Sequence, residues 1–259
     1  MRVGEIEIDP LHDGTAYFRP TEAFVGTTEE QWEPHRALLT ADGMVELELG
    51  GFLVRTAEHV VLVDTGVGAI KGTFSGGAFL DSLAAHGLGP DDVTDVVFTH
   101  LHFDHVGWAT SKGSIVFPKA TYRCDERDWS HFVGPDPGAT RKLTPLEGRV
   151  TLWDASGPLL PGIDVLAAPG HTPGSTVVII SSGDQRALLL GDVVHCPVEL
   201  VDDEWAALGD VDPDLAKRTR NALARELEGT DVPVAASHFP AMRFGRLLAA
   251  EGRRRWVFD

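Results

Sequence analysis

Six residues constrain this chain more than any others: His100-Leu101-His102-Phe103-Asp104-His105, with Gly107 close behind. They follow an apolar run, Val96-Val97-Phe98. Read as a buried strand, that run delivers three histidines and a carboxylate into the loop at its end. Loops at the ends of parallel strands are where α/β folds place their chemistry. Imidazole and carboxylate together are the ligand set of a divalent first-row cation such as zinc. Alternation along an extended chain sends His100, His102 and Asp104 to one side, and a loop lets His105 turn inward as well. These are more donor atoms than one tetrahedral ion accepts, so the cluster suggests two ions. A solvated His-rich loop is the competing reading, and further ligands elsewhere in the chain decide between them.

Three later stretches offer such ligands. Pro169-Gly170-His171-Thr172-Pro173-Gly174 sets one histidine in a turn between strand-like segments. Leu188-Leu189-Leu190-Gly191-Asp192 is an apolar strand running into a carboxylate, and Val234-Ala235-Ala236-Ser237-His238 is one running into a histidine. Each alone has an ordinary explanation: a turn histidine, a capping aspartate, a strand-end histidine. Together they repeat the context of the hexapeptide, as a shared centre requires.

Periodicity places these motifs on a frame. Residues 3–9 alternate as a strand, with 15–19 as a hairpin partner, and strands follow at 44–55 and 59–63, the latter ending in Asp64-Thr65-Gly66. A helix is expected over 79–86, closed by Gly87, and strand 93–99 feeds the hexapeptide. Strands at 115–117 and 120–123, a helix near 125–131 and a Gly/Pro-rich loop over 134–148 come next. Further strands are expected at 150–153, 163–167, 176–181, 187–190 and 232–236, with a last one near 255–258. The clearest helix starts at Asp212-Pro213, an N-cap and an N1 proline, and stops before Gly229. Segment 20–42 is polar, broken by Pro20, Gly26 and Pro34, and carries Phe24 and Trp32. It reads as a long loop or short helices, either a lid or a surface excursion. The order makes two similar halves, each a sheet with helices outside it. No linker separates them, so 1–259 is read as one α/β (α+β) domain.

Composition narrows the partners. With a net charge of −17 and a pI near 4.9, the chain has no basic face for a phosphate backbone, which excludes nucleic acid. The only cysteines, Cys124 and Cys196, are far apart, and no basic stretch with an apolar run opens the chain. No apolar run reaches the roughly 18 residues of a membrane span. A cytoplasmic protein with reduced thiols and no membrane partner is expected, and a homodimer is left open.

The motifs in order (HLHFDH with Gly107, PGHTPG, the Gly191-Asp192 pair, then His238, preceded by Asp64-Thr65-Gly66) resemble the metallo-β-lactamase superfamily. The resemblance implies a four-layer αββα sandwich with a binuclear centre between its sheets. Carried over by position, His100, His102 and His171 would hold one ion and Asp104, His105 and His238 the other. Asp192 would bridge them, and Asp64 would orient a ligand histidine by hydrogen bonding. The resemblance further implies two divalent metals, zinc first, with manganese, cobalt or iron as alternatives. A hydroxide held between them would attack a small-molecule substrate, with Asp104 shuttling the proton.

Within that superfamily, class B β-lactamases place a cysteine where Asp192 stands, and flavodiiron proteins a glutamate where His102 stands. The pattern is most similar to the N-acyl-homoserine lactonases and the related organophosphate hydrolases, which implies opening of a lactone or cleavage of a small ester. A glyoxalase II-like thioester hydrolase is the alternative, and a mononuclear iron persulfide-oxidising member a further one. Quorum-signal lactonases often carry a tyrosine after the bridging aspartate, whereas the only tyrosines here are Tyr17 and Tyr122. His195 is the leading candidate for a substitute contact, with a histidine merely packed beside Asp192 as the alternative. Phe24, Trp32, Phe103 and Trp108 are the aromatic residues expected to wall a substrate pocket. His12, His35, His59, His86 and His131 are assigned to surface or core roles.

Overall fold

The computed structural model describes residues 1–250 and 252–259. Alternation along the strands builds two sheets that share one apolar interior. In the first sheet Ile8, Phe52, Val54, Val61, Val63 and Val97 point inward, where they meet Ile163, Val178, Ile180, Leu189 and Ala235 of the second. Their chain neighbours Leu11, Leu53, Leu62, Val96 and Phe98 point the other way. There they are covered by the helices Phe79–Ala85, Glu126–Phe132 and Pro137–Leu143. Val177, Leu188 and Val234 face outward from the second sheet onto Leu223, Ala224 and Leu227 of helix Pro213–Leu227. The result is the four-layer αββα sandwich, with a period of two generating both a shared core and two helix-covered faces.

The first sheet runs in the order Arg2–Val3, Ile6–Phe18, Val45–Arg55, Val60–Val63, Asp95–Val97, Thr121–Asp125, Val150–Trp153, and Phe74–Gly76 adds to Ile6–Phe18. The second runs Gly157–Leu160, Ile163–Ala167, Thr176–Ser182, Gln185–Leu189, Val234–Ala235, Gly245–Ala250, Arg253–Phe258. Each sheet holds a parallel section: Val60–Val63 beside Asp95–Val97 in one, Gln185–Leu189 beside Val234–Ala235 in the other. Parallel neighbours end at the same edge, so the loops that follow them meet there.

Two expectations are corrected. The hairpin of 3–9 with 15–19 is replaced by one strand, Ile6–Phe18, that pairs along its length with Val45–Arg55. Gly14 is not a turn; it lies where the backbone of Ser75 comes so close that a Cβ would meet its carbonyl oxygen at 1.8 Å. Segment 134–148 is not a loop, since Asp136 caps helix Pro137–Leu143 by accepting from Gly138 N and Ala139 N. The strand Gly245–Ala250, a partner for Arg253–Phe258, was not expected from the sequence. Segment 20–42 forms the short helices Pro20–Ala23 and Glu29–Trp32 and a 3-10 turn, Glu33–Leu38. Among the described residues no helix is long and apolar enough to cross a membrane.

Candidate metal centre

Register explains why the motifs converge. Val63 pairs with Val97, so Asp64 comes to lie beside the turn that leads to His100. Leu189 pairs with Ala235 in parallel, and Asp192 and His238 each stand three residues beyond these partners. The backbone of Thr176 bonds to Thr99 O at 2.9 Å and joins the two halves at this edge. His171 then enters from the turn preceding strand Thr176–Ser182.

Two groups of donor atoms result. One contains His100, His102, His171 and Asp192; the other contains Asp104, His105 and His238. In the first, His102 Nδ1 lies 3.0 Å from His100 Nε2 and 2.9 Å from His171 Nε2. Asp192 reaches into both groups. Its Oδ2 is 3.6 Å from His100 Nε2, 3.4 Å from His171 Nε2 and 3.1 Å from His238 Nε2, while its Oδ1 is 3.2 Å from His105 Nε2. Asp104 Oδ2 lies 3.7 Å from His238 Nε2.

These donors fit divalent cations on two grounds. Metal–nitrogen bonds of 2.0–2.1 Å in a tetrahedron give ligand–ligand edges of roughly 3.3–3.4 Å, close to the separations found here. Burial, then the neighbouring imidazoles, lowers His100 well below the ordinary histidine value and His102 to about 3, so both rings are neutral with a free lone pair. Meanwhile His105 Nε2 and Asp192 Oδ1 are buried without a hydrogen-bond partner among the described residues. Burial opposes charge on His105, but the carboxylates of Asp192 and Asp64 outweigh it and raise its pKa well above the usual value; a cation between His105 Nε2 and Asp192 Oδ1 would take the place of that proton. Buried polar atoms normally find partners. A bound cation would supply one to each of these atoms.

The rings are held from behind. Asp64 accepts from Thr99 N at 2.8 Å and Thr99 Oγ1 at 2.7 Å, and its Oδ2 is 2.9 Å from His105 Nδ1. It does so with φ of 63°, an uncommon conformation for a residue with a Cβ. His238 Nδ1 donates to Glu48 O at 2.7 Å, which turns Nε2 toward Asp192. His171 Nδ1 is 2.9 Å from Asp210 Oδ1, a partner that sequence reasoning missed. Asp210 carries no signal of its own, being one aspartate in a polar stretch before the helix cap. Gly107 is required by close approach, because a Cβ there would meet Val67 C at 2.0 Å.

Above the donors opens a cavity of about 340 Å³, lined by Phe18, Phe24, Leu47, Phe74, Phe103 and Leu208 over His102, Asp104, His171, Asp192, His195 and His238. Of the four aromatics expected on its wall, Phe24 and Phe103 are there. Trp32 is not. It packs behind Phe24, centroid to centroid 5.3 Å, in a buried cluster with Trp205. Nor is Trp108, whose indole Nε1 donates to Asp13 Oδ1 at 2.9 Å. Segment 20–42 docks through a bridge between Phe24 and Ala207 and so forms one side of the cavity. His195 lies beside Asp192 with Nε2 3.4 Å from Oδ2, and its backbone N–H donates to the buried Glu199, which pairs with the buried Arg220.

The metallo-beta-lactamase superfamily model matches residues 51–238. N-acyl homoserine lactonase AiiA of Bacillus thuringiensis subsp. kurstaki is 26% identical over 73% of this chain and 81% of its own. Human metallo-beta-lactamase domain-containing protein 1 is 33% identical over 74% of this chain and 62% of its own. The solved structure of AidC, a dizinc quorum-quenching lactonase with a product bound, superposes with a TM-score of 0.90 at 25% identity and covers 100% of this chain and 96% of that one. AbOPH, a hydrolase of the beta-lactamase superfamily, shares the fold with a TM-score of 0.88 at 24% identity, covering 99% and 95%. The chain therefore belongs to the metallo-beta-lactamase superfamily, near its lactonase group.

Proposed function

We propose that this metal-dependent hydrolase opens lactones or cleaves small carboxylic esters that carry no charge, using two divalent cations, zinc first among them. The observation that carries the reading is the position of Asp192, whose carboxylate reaches histidines of both donor groups at 3.1–3.6 Å. His100, His102 and His171 would hold one cation, Asp104, His105 and His238 the other, and Asp192 both. Cations so placed acidify a water to hydroxide near neutral pH and polarise the oxygen of the bond under attack. Ligands come from both sheets, so the whole of 1–259 is taken to act as one domain.

The chain's own groups supply orientation and proton transfer. Asp104 borders the cavity floor, where its carboxyl can take a proton from the attacking water and pass it to the leaving oxygen. His195 borders the same floor, which supports its donating to the substrate's carbonyl or leaving oxygen. Phe18, Phe24, Leu47, Phe74 and Phe103 exclude water from an acyl or aryl group. No Lys or Arg is among the described lining residues. That favours a neutral substrate over the anionic thioesters of the glyoxalase II-like alternative, whose charge would be desolvated without a partner. The second donor group weighs likewise against a mononuclear iron enzyme, which would have no use for it.

Two experiments test this. Protein stripped by a chelator and reconstituted with zinc is screened against lactones, aryl esters, anionic thioesters and phosphotriesters. Turnover of neutral lactones or esters is expected only after reconstitution; one iron per chain with no turnover of any substrate would sink the proposal. Asp104→Asn is expected to lower kcat about 10²-fold, the scale of a lost general acid–base group. Near-wild-type kcat in a metal-replete Asp104→Asn protein would remove Asp104 from proton transfer.

A further inference from the structure

Asp128 lies on helix Glu126–Phe132, outside every sequence motif, and is fully buried. Its carboxylate is turned to the two loops that carry the donor atoms. Oδ2 accepts from Leu101 N at 3.1 Å and from Thr172 Oγ1 at 2.9 Å, and Oδ1 accepts from Gly174 N at 2.5 Å. Leu101 stands between His100 and His102, and Thr172 directly follows His171. One carboxylate thus ties the backbone between His100 and His102 to the side chain of Thr172 and the backbone of Gly174 in the loop of His171, across the gap between the two halves of the chain. The second group has other supports: Asp64 for His105, and Glu48 O for His238. The helix itself is pinned close by, since a Cβ on Gly174 would meet Asp128 N at 2.8 Å.

We propose that Asp128 is a positioning residue for the ion held by His100, His102 and His171, and not for the other. The proposal rests on the two-ion reading above. A residue that holds ligands in place acts by paying their ordering cost before the cation arrives, so its loss lowers affinity at its own site. A residue that merely stabilises the fold lowers thermal stability without distinguishing one ion from the other. Asp210 supports only the ring of His171, so it does not replace a tie that spans both loops.

The test is zinc titration of the full chain, with metal content measured after dialysis and folding checked by circular dichroism. Wild type is expected to hold two ions. In Asp128→Asn the affinity for one ion should fall 10–100-fold while the other is unchanged. Added to His238→Ala, Asp128→Asn should weaken the remaining ion by the same factor; added to His171→Ala, it should change nothing further. Equal weakening of both ions, or of neither, would overturn the proposal. A wild-type stoichiometry of one would overturn the two-ion reading instead, and Asp128 then keeps its role only if that single ion is weakened by Asp128→Asn. Should Asp128→Asn fail to fold, Thr172→Val removes one of the three hydrogen bonds and no charge. Its expected effect is a smaller loss at the same ion, and no loss there would count against Asp128.

Discussion

Asp192→Ala is expected to abolish hydrolysis, with kcat/KM falling on the order of 10³-fold or more, and to leave fewer than two ions bound per chain. The carboxylate lies 3.1–3.6 Å from nitrogens of His100, His105, His171 and His238, and among the described residues no other carboxylate reaches both donor groups so directly. Removing it withdraws a negative charge from the middle of a nearly closed shell of imidazoles. Cations there would face one another with less compensation, and the first to weaken takes with it the stabilisation of the attacked oxygen. A loss of about 4 kcal/mol in transition-state stabilisation corresponds to about a 10³-fold drop in rate. Metal analysis beside steady-state kinetics checks this: Asp192→Ala protein with two tightly bound ions and activity within tenfold of wild type would refute the bridging role.

Gly107→Ala is expected to cost about 3 kcal/mol or more, or to prevent folding altogether. The added Cβ would meet Val67 C at 2.0 Å and Gly68 N at 2.3 Å, both backbone atoms with no rotamer to yield. The loop is held on this course by Gly107 N donating to Gly66 O at 2.7 Å and Trp108 N donating to Thr65 O at 3.0 Å, so it cannot slide aside without losing both. Overpacking in a rigid interior commonly costs 1–3 kcal/mol, and clashes with backbone lie at the upper end. Because the same loop carries Asp104 and His105, metal affinity should fall together with stability. Chemical denaturation of Gly107→Ala would show the effect, and a midpoint within error of wild type would mean the chain relaxes around the methyl.

Where the structure departs from sequence-based reading, the cause is a contact between distant segments. Asp13 lies between the segments 3–9 and 15–19 expected to form a hairpin. It is instead the extra residue of a bulge in Ile6–Phe18, and its buried carboxylate accepts from Val67 N, Gly68 N, Gly77 N, Phe79 N and Trp108 Nε1. Nothing local could show that five donors from three later segments converge on it. The same holds for Asp128 and Asp210, which look like ordinary helix-start and loop acids until the fold buries them. Trp32 and Trp108 were legible as large apolar side chains, but which side of a wall they occupy depends on how segment 20–42 and the Thr65–Trp108 contact are docked.

The sequence by itself determined the local things: apolar alternation that makes two sheets, a helix bounded by Asp212-Pro213 and Gly229, and donor residues placed one by one at strand ends. Such signals depend on the period of an isolated segment, and a strand end fixes where its next side chain emerges. The grouping of those donors, with Asp192 between the groups, was implied only by the family resemblance and not by any segment's own pattern; only the tertiary structure decided the distances among them, and that the cavity over them is apolar and without a cation among its described lining residues. These depend on the register of parallel strands and on loops from opposite sheets meeting at one edge. No pattern within a single segment encodes that meeting, because the energy that selects it is burial and hydrogen bonding shared between residues far apart in the chain.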